Sequence, residues 1–136
     1  MIAFDSNVLV RHYLTDPDEP RQSEEARRLV ENALAKGYDV YLSQIVLCES
    51  VWVLGRCYKV SRKARIEFLQ SVLHDSPFQV EAPEQVAKAL KQFSDTKADF
   101  ADCLIAANAK GHGCKKTFTF DKKAKTIPGM AAVDYG

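Results

Sequence analysis

Short apolar runs that end on an acid or a turn residue alternate along this chain with amphipathic stretches, and no hairpin signal joins one run to the next. Strands separated by helices pair through crossovers, so the order predicts an α/β fold with a central, mainly parallel sheet flanked by helices on both faces. Residues 2–4 read as a buried strand that stops at Asp5-Ser6-Asn7, a turn or cap leading into a loop. Ala26, Leu29, Val30 and Ala33 recur at helical spacing and predict a helix over 22–36, stopped by Gly37. Strands follow at 38–42, 78–80, 116–120 and 131–133. Between them Ser43 caps a helix running to about Arg56, Ser61 caps one ending near Asp75, and Pro83 opens one reaching about Phe93. A compact helix over 99–110 ends at Gly111.

With 136 residues, 46% hydrophobic and 27% charged, the chain reads as one domain spanning 1–136, and collagen-like or disordered classes are excluded. Its longest apolar stretch, 45–54, is broken by Glu49 and is too short for a membrane span, so no membrane partner is expected. The opening MIAFDSNVLV carries no basic leader, which predicts a cytoplasmic protein rather than a secreted one. Cys48, Cys57, Cys103 and Cys114 form no C-x-x-C pair, and three of them sit among apolar residues, which reads as reduced, buried thiols. His112-Gly-Cys114 would offer zinc only two ligands and is set aside. The net charge of +1 means that a nucleic-acid partner must be met by a local patch.

The acids carry the chemistry. Asp5 and Asp121 each follow a strand, and a parallel sheet would deliver both to the edge where α/β sites lie, although an Asx turn or helix cap explains either one alone. Glu49 is surrounded by apolar residues on its helix and is expected to be buried. It would then need a counter-charge, either a side chain such as Arg56 or a metal ion. Asp99 and Asp102 share one face at a helix start, as a capping box would also require, while Cys103-Leu-Ile-Ala-Ala107 draws Asp102 towards the interior edge. Converging carboxylates suit one or two hard divalent ions, Mg²⁺ or Mn²⁺, which would activate a water and stabilise the leaving oxygen of a phosphodiester. Lys115, Lys116, Lys122, Lys123 and Lys125 surround Asp121, as a solvated loop or as a patch for phosphate backbone.

Phe4-Asp-Ser-Asn-Val-Leu-Val-Arg11, the apolar helix with Glu49, Asp99-Phe-Ala-Asp-Cys-Leu-Ile-Ala-Ala107 and Thr119-Phe-Asp-Lys-Lys123 together resemble a PIN domain. Within that superfamily, the length and the F-A-D-x-L-I-A-A block are similar to VapC-type toxins of bacterial toxin-antitoxin pairs. The resemblance covers the whole chain in the expected order. It implies a metal-dependent endoribonuclease with Asp5, Glu49, Asp102 and Asp121 at the family's acidic positions, Asp99 as an auxiliary acid, and Ser6 and Asn7 shaping the pocket. Position 6 is Ser where Thr is commonest in the family, which keeps the hydroxyl. The implied partners are RNA and a cognate antitoxin that would place an Arg or Lys among the acids.

Competing readings are a non-toxin PIN-like RNA-processing nuclease and a catalytically inactive RNA-binding or interaction module. A haloacid-dehalogenase-like phosphatase needs a second Asp where this chain has Asn7, a receiver domain has no use for Glu49, and neither G-x-S-x-G nor a P-loop is present. Val51, Trp52, Val53, Leu54 and Tyr58 offer more apolar surface than one helix face needs, which predicts a homodimer contact, with core packing as the alternative.

Overall fold

The structure is a computed structural model and describes residues 1–133. The chain divides into two compact units, Met1–Glu81 and Ala82–Gly136. The first unit contains β1 (Ile2–Ala3), α1 (Ser6–Tyr13), α2 (Pro20–Lys36), β2 (Val40–Leu42), α3 (Gln44–Arg56), α4 (Arg62–His74) and β3 (Phe78–Val80). The second contains α5 (Pro83–Asp95), α6 (Phe100–Gly111), β4 (Thr117–Thr119), a 3₁₀ turn (Ala124–Thr126) and β5 (Met130–Ala132).

Every strand pairing among the described residues is parallel. In the first unit the order is β1-β2-β3, with Ile2 opposite Val40 and Val40 opposite Phe78. β4 and β5 form a two-stranded set with Thr117 opposite Met130. The strands are three residues or fewer, so side-chain packing rather than ladder length holds each unit together. Leu9, Val10, Val40, Leu42, Leu47, Leu69 and Val72 are fully enclosed in the first unit. In the second, Phe93 and Phe100 meet edge to face at 5.7 Å beside Val86, Ala89, Cys103 and Ile127. Each buried Leu, Val or Phe contributes roughly 1.5–3 kcal/mol through lost water contact.

The helix boundaries follow local chemistry. Ser43 and Ser61 cap α3 and α4 as expected, accepting the amides of Val46 and Ala64 at 3.2 and 3.1 Å. Gly37 ends α2 in the left-handed conformation at φ 72°, where a side chain would be strained. Two expectations need correction. The segment after Asp5 is not a loop but α1, because the Asp5 carboxylate caps it and Leu9 and Val10 bury its inner face. Helix α2 begins at Pro20 rather than Gln22, since proline lacks only an amide that the first turn leaves unpaired anyway.

The cysteines also differ from expectation. Cys103 is buried and Cys48 half-buried, but Cys57 at the end of α3 and Cys114 in the turn after α6 are exposed. Burial and the neighbouring Glu49 charge push the Cys48 thiol up to about 11. Among the described residues, no helix is long and apolar enough to cross a membrane.

Candidate active site

Asp5 stands just past the C-terminal end of β1, and Oδ1 accepts the Val8 amide at 3.0 Å to close the first turn of α1. The cap therefore exists, and it uses one of two carboxylate oxygens. Ser6 is buried and Asn7 exposed at the start of the same helix. One turn further on, Arg11 is fixed from three sides: Nε donates to Gln22 Oε1 at 3.1 Å, one terminal nitrogen donates to the Tyr58 hydroxyl, and the other pairs with Asp16 at 3.4 Å. Its side chain is only 15% exposed, and the guanidinium lies 5.6 Å from the Tyr58 ring centre. Tyr58 in turn donates to Asp16 at 2.7 Å, which with the neighbouring Asp18 amide and Arg11 holds the Asp16 carboxyl below the usual range. This cluster joins residues 11 and 47 positions apart, and sequence reasoning missed it. Its one visible sign is an Arg directly after the buried Leu9-Val10 pair.

A cleft of about 430 Å³ opens between α1 and α2, lined by Asp5, Asn7, Val8, Arg11, Gln22, Glu25, Ala26 and Leu29.

Glu49 departs from expectation. It is exposed, and Arg56 is not its partner: no ion pair among the described residues includes it. Helix α3 turns Leu47, Ser50, Val51 and Leu54 inward and leaves Ile45, Glu49 and Trp52 on the solvent side, so the apolar flanks of Glu49 are themselves wet. Val51 and Leu54 are thereby claimed by the core, whereas Trp52 is 61% exposed.

In the second unit, Asp99 occupies the N-cap position of α6 but makes no side-chain cap bond, so the capping-box alternative is not realised and its carboxylate is left for other work. Asp102, one turn on, is partly buried. Burial first, then the charges of Asp121 and Asp99, hold its carboxyl above the usual range. Asp102 therefore feels the two other acids of this unit. Asp121 follows β4 and forms an Asx turn, Oδ1 accepting the amides of Ala124 at 2.9 Å and Lys123 at 2.7 Å, which keeps its own carboxyl low. Lys115, Lys116, Lys122, Lys123 and Lys125 are all exposed, and none takes part in an ion pair among the described residues.

An oxygen-only donor set fits a hard divalent cation, whose charge would offset that of Asp121 and Asp99 beside Asp102. The side chains do not stand in ligating positions: among the described residues, no three His, Cys, Asp or Glu form a group that could hold an ion as they lie.

Compared with known proteins, residues 2–130 match the PIN domain. The chain is also 28% identical over 127 residues to "VapC ribonuclease" of Aquifex aeolicus (strain VF5), an alignment covering 93% of this chain and 92% of that protein. A match spanning nearly every element described above, in an α/β chain of parallel strands, settles the family: the chain belongs to the PIN domain family.

Proposed function

We propose that this protein is a metal-dependent endoribonuclease and the toxin of a toxin-antitoxin pair. The observation that carries the reading is the partly buried Asp102 at the start of α6, acted on by the charges of Asp121 and Asp99, in a chain similar over 93% of its length to a protein named as a ribonuclease. Asp5, Glu49, Asp102 and Asp121 are the residues that would hold the ion or ions, with Asp99 as an auxiliary acid and Ser6 and Asn7 shaping the pocket around Asp5. When bound, Mg²⁺ or Mn²⁺, one or two ions per site, would supply the activation of water and charge stabilisation at the leaving oxygen. The chain's own residues do the rest. Asp5 keeps one oxygen on the α1 cap, which fixes its direction, while the Asx turn does the same for Asp121. Lys115, Lys116, Lys122, Lys123 and Lys125 draw the phosphate backbone towards the acids.

The same acids favour a guanidinium, so an antitoxin that inserts an Arg or Lys among them would block the site. RNA and this antitoxin are the proposed partners, with a second copy of the chain through the exposed Trp52 of α3, in the cytoplasm.

The test is cleavage of RNA by purified protein with Mg²⁺ or Mn²⁺. EDTA should abolish it, and Asp102→Asn should reduce it by at least about a hundredfold while the protein stays folded. Cleavage at an undiminished rate in excess chelator would sink the metal mechanism. Growth arrest on expression alone, relieved by the neighbouring gene's product and dependent on Asp5, separates a toxin from an RNA-processing nuclease. Retention of RNA with no cleavage under any divalent metal would favour the binding-module reading.

A further inference from the structure

The cleft between α1 and α2 begins at Asp5 but is built differently from the acid cluster. Its volume, about 430 Å³, lies in the range of small-molecule sites, on the order of 300–1,000 Å³. Val8, Ala26 and Leu29 give it an apolar wall, and Leu29 keeps 42% of its surface open to water. Opposite chemistry comes from the carboxamides of Asn7 and Gln22 and the carboxylate of Glu25. Gln22 is not free to flip without loss: Arg11 Nε donates to Oε1, so the amide NH₂ is the group left to donate. Arg11 is itself locked by Tyr58 and Asp16, which makes it a positioning residue for Gln22.

Charge decides what can enter. The lining carries Asp5, Glu25 and Arg11, but Arg11 is already paired with Asp16 at 3.4 Å and Glu25 Oε1 with Arg21 at 3.2 Å. With Arg11 and Glu25 each paired, the cleft beyond Asp5 offers a phosphate no unpaired cation. A flat, uncharged heterocycle with N–H donors on its edge meets a matching surface: apolar contact for its face, carboxylate acceptors for its donors and an amide NH₂ for its carbonyl.

We infer that this cleft is a nucleobase subsite, seating one base of the RNA beside Asp5. Guanine fits best, because its N1–H or exocyclic amine can donate to the second Glu25 oxygen, beside the one that meets Arg21, while O6 accepts from the Gln22 amide. The inference rests on the ribonuclease reading for its substrate and adds to it the element that chooses where the strand is cut.

Two measurements test it. In the first, guanosine, adenosine, cytidine and uridine are titrated into the wild type, Gln22→Ala and Glu25→Gln while the Val8 and Leu29 resonances are followed. Guanosine should bind most tightly, and each substitution should weaken it about tenfold. In the second, a pool of short RNAs randomised around the cleavage point is digested with Mg²⁺ and the new ends are sequenced. The wild type should prefer guanine at one position, and both variants should lose about tenfold in kcat/KM on that sequence and flatten the preference. Gln22 and Glu25 are exposed, and matching melting curves would establish that the variants are folded. If the wild type cleaves and the variants keep its base profile, the subsite is overturned while the ribonuclease reading stands. If the wild type cleaves nothing, the ribonuclease reading fails and the nucleoside titration decides the cleft alone: guanosine binding weakened by Glu25→Gln supports it, and absent or unaltered binding overturns it.

Discussion

Asp5 does two jobs that substitution can separate. Its carboxylate caps α1 through the Val8 amide, and asparagine caps as well as aspartate does. Asp5→Asn should therefore leave the melting temperature nearly unchanged while removing RNA cleavage, whereas Asp5→Ala should also cost about 1 kcal/mol of stability. Loss of stability in both variants alike would mean that the negative charge, not the cap, holds the turn. His12 offers a pH test. Packed against Tyr13 at 4.7 Å and Phe78 at 5.5 Å, with Nδ1 buried and unbonded among the described residues, it is held below its ordinary 6.5 by burial first and by Arg27 second. The unfolded chain takes up this proton near pH 6.5 and the folded chain only at lower pH, so stability falls as pH drops through 6.5. His12→Phe should make the fall in melting temperature between pH 7.5 and 5.5 smaller, and an unchanged fall would assign it to other groups. At this scale the acids were legible because a carboxylate after a strand is visible in one dimension. The Arg11 cluster was not, because Tyr58 reaches it from 47 positions away.

Helices and strands were legible wherever punctuation marked them. Ser43, Ser61, Pro83 and Gly37 all do locally what their chemistry suggests. Helix α1 escaped because its eight residues carry too short a period to show, and because Asp-Ser-Asn is equally at home in a turn. Glu49 misled for a related reason: a helical wheel tells which residues are apolar, not which side faces the core. The inward side of α3 is the one with Leu47, which is wholly buried. Leu47→Ala should cost about 2–5 kcal/mol in denaturant unfolding, whereas Ile45→Ala, at a position 71% exposed, should stay within about 0.5 kcal/mol. Similar costs at both positions would mean that Ile45 too is covered in solution.

For the molecule as a whole, the parallel α/β class followed from the order of elements alone, whereas the division at Glu81 had no mark in composition or linker chemistry. Homodimerisation is tested by light scattering: the wild type should give about twice 15.2 kDa, and Trp52→Lys should shift it towards the monomer. A monomeric wild type across the micromolar range would remove the proposed contact. The cysteines have a practical consequence. Cys57 lies in the first unit and Cys114 in the second, both open to solvent, while Cys103 is shielded and Cys48 stays protonated at neutral pH. Maleimide reagents at pH 7 should therefore modify two of the four thiols, giving the native sequence one attachment point for a fluorophore or spin label in each unit, with no residue needing to be replaced.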